Sequence, residues 1–141
     1  MVTKHFENNL VKEQLTKTVQ RYTDDSLVDC IVNSIDDKKG LQIVSLDLRN
    51  IQDASADFFI ICTAESSPQV RAIANFVETN VKEKLEESPW QQEGLDTLEW
   101  VILDYFNVVV HVFMPEKRTL YNLEELWSDA NFTYHTGDEP H

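Results

Sequence analysis

Phe58-Phe59-Ile60-Ile61-Cys62, then Ser66-Ser67-Pro68 and the helix they open, then Trp100-Val101-Ile102-Leu103-Asp104-Tyr105 decide the fold. The first and last runs are short, β-branched or aromatic, and read as strands. Between them Ser67 can cap a helix with Pro68 at its first position, where a missing N–H costs nothing. Val70, Ile73, Ala74, Val77, Val81 and Leu85 then share one face, Arg71, Glu78, Lys82 and Glu86 face solvent, and Ser88-Pro89 ends the helix. A strand, a helix and a strand over this length suffice for a right-handed crossover. The expected class is α/β, a mixed β-sheet with helices packed on it.

Downstream, Trp100–Tyr105 and Val108–Met114 pair as a tight hairpin around Phe106-Asn107, with Asn107 suited to positive φ. Its second strand is apolar on both faces and belongs in the middle of the sheet. Pro115 ends it; Leu120, Leu123, Leu126 and Trp127 mark one last short helix, and residues 131–141 read as a loose tail. The linker around Gln91–Asp96 has room for a short strand. Upstream, Thr23-Asp24-Asp25-Ser26 supplies N-caps for a helix carrying Leu27, Val28, Ile31, Val32 and Ile35, closed by Lys38-Lys39-Gly40 with Gly40 in the left-handed conformation. Leu41–Leu48 is a strand joined to Phe58–Cys62 by fewer than ten residues, so the two should run antiparallel. In residues 1–22, Phe6, Leu10, Leu15, Val19 and Tyr22 form a stripe too sparse for a core, an N-terminal extension of helical character ahead of a domain over 23–130.

With 141 residues, 42% hydrophobic and 26% charged, one soluble globular core is expected. The balance of 12 basic against 25 acidic residues, a formal −13, argues against nucleic acid as the direct target, because phosphate binding requires clustered cations. A basic protein partner suits such a field; the same charge also serves solubility alone. Cys30 and Cys62 have neither disulfide nor metal-ligand spacing and read as small hydrophobes. No apolar run reaches the length of a membrane span and no signal peptide is evident, which makes the cytosol the default compartment.

Chemistry-bearing residues are few. Asp47, Asp57 and Asp104 at strand ends are the one set that could hold a divalent metal for nucleotidyl transfer, but no glycine-rich phosphate cradle and no Asp-x-Asp pair accompanies them. His111 sits inside an apolar strand and reads as a core or rim histidine. Nothing assembles a nucleophile, an acid and a base. Trp100, Tyr105 and Phe106 are large aromatics at a strand start and a turn, where interface anchors occur, although core filling explains them too.

Several stretches taken in order resemble the ribosomal silencing factor (Iojap-related) family over about residues 24–128. They are Asp36-Asp37-Lys38-Lys39, Val44-Ser45-Leu46-Asp47-Leu48, Ala56-Asp57-Phe58-Phe59-Ile60-Ile61-Cys62, Ser66-Ser67 with Val70-Arg71, Glu93-Gly94, Trp100, Asp104, Val108 to Phe113, Arg118 with Tyr121, and Leu123-Glu124 with Leu126-Trp127. The resemblance implies a nucleotidyltransferase-like fold without the catalytic acids, hence a binding protein with no catalytic residue, metal or cofactor. It implies docking on the large ribosomal subunit through its L-fourteen protein, a block on joining with the small subunit, and repression of translation under nutrient limitation. Trp100, Asp104 and Tyr105 lie in the stretch that faces this partner in the family, and Phe106 at the adjoining turn completes the expected contact set. The chain departs from the family at Ala64-Glu65-Ser66, where Gly-Thr-Ser is usual, and at Phe106-Asn107, where Gly-Asp is usual. A small metal-dependent nucleotidyltransferase using Asp47, Asp57 and Asp104 is the alternative, and a homodimer held by the N-terminal helix the third reading.

Overall fold

The computed structural model describes residues 24–135. In chain order these form α1 (Asp24–Asp37), β1 (Leu41–Asp47), β2 (Phe58–Thr63), α2 (Ser67–Leu85), β3 (Gln91–Glu93), β4 (Trp100–Asp104), β5 (Val108–Phe113), α3 (Pro115–Tyr121), α4 (Leu123–Leu126) and β6 (Asn131–Tyr134). The N-terminal extension over 1–22 lies outside the described residues.

The strands make one mixed sheet in the order β3-β4-β5-β2-β1-β6. β1 runs antiparallel to β2, as the short connection requires, and β4 and β5 form the expected antiparallel hairpin. β2 and β5 are parallel, so the chain leaving β2 crosses through α2 to the far edge at β3 and returns by β4 before β5 slots in beside β2.

Each face of the sheet has its own core. On one, α1 buries Leu27, Val28, Ile31, Val32 and Ile35, and α2 buries Val70, Ile73, Ala74, Val77 and Val81. Both helices press on Ile43, Ile60, Cys62, Val101, Leu103 and the Val108, Val110, Val112 row of β5. Each such side chain removed from water contributes roughly 1.5–3 kcal/mol, which is why the two clean helical stripes foretold this layer. On the opposite face Val44, Leu46, Phe59, Ile61 and Phe113 are buried with Leu48, Ala56 and Leu123, and Trp127 and Phe132 pack partly against them. That second cover lies over β1 and β2 and thins out toward β4, whose Trp100, Ile102 and Asp104 stay half-exposed.

Four local expectations are corrected. At the end of α1 the left-handed residue is Lys39 (φ 66), not Gly40. Gly40 is required for space instead, since a Cβ there would stand 2.3 Å from Ile35 Cγ2, a fully buried neighbour. The cap of α2 is Ser66, whose Oγ accepts from the Gln69 N–H at 3.2 Å, while Ser67 is already helical. The segment after Pro115 is two helices broken at Asn122 (φ 44), and only Leu123 of its leucines is buried; Leu120 and Leu126 are exposed. Arg118 fixes this cover in place, donating from Nη1 to Gln42 O (2.8 Å) and Thr63 Oγ1 (2.9 Å) and from Nε and Nη2 to Glu124. Finally, residues 131–134 are not a loose tail: β6 pairs antiparallel with β1, with Phe132 opposite Leu46, so the sheet runs past residue 130. No helix among the described residues is long and apolar enough to cross a membrane.

Candidate partner-binding face

Alternation along β4 sends Val101 and Leu103 into the helix-side core and leaves Trp100, Ile102 and Asp104 on the thinly covered face. Trp100 anchors an aromatic cluster there. Its ring stacks on Phe113 (centroids 5.0 Å, 22°) and meets Tyr121, the last residue of α3, at 4.6 Å. Its Nε1–H donates to His111 Nδ1 at 3.1 Å. Trp100 itself is half-buried and Tyr121 is 48% exposed, so a partner can reach both rings. Tyr121 was not anticipated as a site residue; its sequence position says nothing of a contact that depends on how α3 folds back over β4.

His111 is the buried support of this cluster. Burial pushes its pKa down to about 3, so the imidazole is neutral. Phe59 meets it edge-on at 4.7 Å, and its ring lies nearly parallel to Phe113. Gly94 closes the approach to β4 from the other side: with φ +88, a Cβ there would fall 1.9 Å from the Trp100 carbonyl oxygen.

Asp104 stands on the same face as Trp100, about 13 Å further along at ~3.3 Å per residue, and its Oδ1 accepts the Phe106 N–H at 2.8 Å. Tyr105 must be corrected: it points to the other side, is 2% exposed within the helix-side core, and cannot touch a partner on this face. Phe106, rather than Asn107, carries the positive φ of the hairpin turn (φ 74). Asn107 instead ties the turn to α1, its Nδ2 donating to Asp24 Oδ1. The Phe106 ring packs at 5.1 Å against Trp90, a 48% exposed aromatic that sequence reading passed over. Of the four anticipated contacts, the structure thus brings Trp100 and Asp104 to one face, puts Phe106 at the tip beyond them and removes Tyr105.

Asp47, Asp57 and Asp104 do lie at one end of the sheet, because Asp47 pairs with Phe58 and Asp104 with Val109. They do not converge. Two strands separate β1 from β4, so Asp47 and Asp104 are ~14 Å apart at ~4.8 Å per strand. Arg49 grips Asp47 at 2.7 Å and holds its carboxyl below the usual range. Among the described residues no three His, Cys, Asp or Glu side chains are grouped closely enough to hold a metal ion.

Comparison with known proteins agrees with the ordered motifs. The family model described as "Ribosomal silencing factor during starvation" matches residues 21–140. The chain belongs to the ribosomal silencing factor family. It is 43% identical over 104 residues to the ribosomal silencing factor of Halalkalibacterium halodurans, covering 74% of this chain and 87% of that protein. A mouse relative, mitochondrial assembly of ribosomal large subunit protein 1, is 31% identical over 78 residues, 54% of this chain and 34% of that protein. Among solved structures, a Chromobacterium violaceum protein superposes with a TM-score of 0.72 at 30% identity, covering 82% of this chain and 95% of that one. Family membership makes this chain a ribosomal silencing factor and gives the mixed α/β sheet its precedent.

Proposed function

We propose that this silencing factor acts in the cytosol by docking on the large ribosomal subunit through the basic ribosomal protein L-fourteen. So seated, it blocks joining with the small subunit and lowers translation when nutrients are scarce. The observation that carries this reading is the thinly covered face of β4: an accessible Trp100, stacked and hydrogen-bonded from beneath, in a chain with a formal charge of −13. Rigid aromatics at the centre of a face are what interface anchors look like, and the acidic field suits a basic protein. The mouse relative carries the large subunit in its name, which supports the same choice of subunit.

Sedimentation with separated subunits tests the reading. The protein should travel with large subunits and reduce their joining to small ones; co-migration only with small subunits or with joined ribosomes would sink it. Trp100→Ala should weaken large-subunit binding by ~2–4 kcal/mol in a domain that still folds. Phe106→Gly examines the tip separately. It relieves a left-handed backbone strain of ~1–2 kcal/mol while removing the ring over Trp90, so lost affinity with stability nearly unchanged would place the tip in the contact.

A further inference from the structure

Trp100 is held by a group whose burial makes little sense for stability alone. His111 Nδ1 accepts the indole N–H at 3.1 Å, so in the neutral ring the proton must sit on Nε2. That Nε2 is buried and has no hydrogen-bond partner among the described residues. A buried N–H that gives up its bond to water and gains none in return is costly, and the site around it is aromatic and apolar: Phe59, Phe113 and Trp100. A phenylalanine would fill the same space without the orphan. What it would lose is the hydrogen bond from the Trp100 ring, leaving the ring contacts with Phe113 and Tyr121, which have no directional donor–acceptor pair to set the orientation of the indole.

We infer that His111 is a positioning residue for partner binding: its Nδ1 locks the Trp100 indole in the orientation the large subunit receives, at the expense of a buried Nε2–H that finds no partner among the described residues. This rests on the reading that the Trp100 face is the docking site. The lock works by preorganisation, since a side chain already held in its bound rotamer loses less freedom on association. It also works through Trp100 alone, which separates it from a general packing role. Removing the acceptor should lower affinity without lowering stability, and only while Trp100 is present.

A double-mutant cycle decides it. His111→Phe should displace the Trp100 indole N–H resonance, assigned by its loss in Trp100→Phe, and weaken large-subunit binding on the order of tenfold, with a denaturation midpoint no lower than that of the parent chain. His111→Asn, whose Oδ1 can stand where Nδ1 stood, should recover most of the affinity and the resonance position, and it serves as the informative variant if His111→Phe does not fold. In a Trp100→Ala background His111→Phe should add no further loss. An unmoved indole resonance, undiminished affinity of His111→Phe, or fully additive losses in the cycle would each overturn the inference. If the unaltered chain fails to bind large subunits, the functional reading falls and the role in binding with it, whereas binding with an inert His111→Phe overturns only the lock.

Discussion

At the scale of single residues, His111 links stability to pH. Its folded pKa is pushed down to about 3 by burial, against an unfolded value of ~6.5. Between those values the unfolded chain carries the extra proton, so stability is present above pH ~6.5 and drains as the pH falls, by at most ~1.4 kcal/mol per unit. His135, half-buried with its Nε2 2.8 Å from Ser45 Oγ, is shifted in the same direction, again mainly by burial, and adds to the loss. Chemical denaturation at pH 7 and pH 5 should therefore show a clear drop that His111→Phe reduces, leaving the share that His135 contributes; an equal drop in the variant would mean that His111 is not the titrating group. The core placement of His111 was legible from its apolar strand. Its bond to Trp100 was not, because the two are diagonal neighbours across the hairpin, and only the observed register, with Ile102 opposite His111 and Trp100 opposite Phe113, brings them together. Tyr105 was readable and misread. Strand alternation puts it on the face opposite Trp100 and Asp104, and parity alone could have removed it from the contact set.

Among the elements, β6 and the turns separate propensity from context. Asn131–Tyr134 has no apolar run of its own, and it becomes a strand because the free edge of β1 offers hydrogen bonds and Leu46 a surface for Phe132. A chain ending at Ala130 should be less stable than one ending at His135 by roughly 2–4 kcal/mol, from the lost ladder bonds and the uncovered apolar surface. A difference within ~0.5 kcal/mol, as for surface changes that touch nothing, would return these residues to the status of a tail. The hairpin turn is a similar case. Asn107 has the better propensity for positive φ, yet the turn sets that conformation at Phe106, and Asn107 serves as a tie to α1. Gly94 fits both local chemistry and tertiary need. Gly94→Ala should destabilise the domain by ~2–4 kcal/mol through left-handed strain and overlap with the Trp100 carbonyl. It should also shift Trp100 fluorescence, whereas a silent substitution would show that the loop can retreat from β4.

Over the whole molecule, the α/β class, the antiparallel β1–β2 pair, the central β5 and the helix-side core were legible, since each follows from unbroken periodicity or from the length of a connection. The thin cover over β4 was not, because it depends on where α3 ends and on the anchoring of Arg118 to Gln42 of β1 and Thr63 of β2, contacts between residues far apart in sequence. Net charge belongs to this scale as well. A formal −13 creates a field reaching beyond any one contact, whereas the Trp100 cluster acts only on touching. Screening shortens the range of that field from ~20–30 Å in dilute salt to ~8 Å at physiological ionic strength. Association with large subunits should therefore slow roughly tenfold between low and physiological salt, with dissociation changing much less. Trp100→Ala should do the reverse, speeding dissociation and leaving the salt-dependent association rate almost untouched. Stopped-flow measurement of both rates across a salt series separates the two contributions. A salt-independent association rate would mean that the acidic surface plays no part in finding the partner and serves solubility alone.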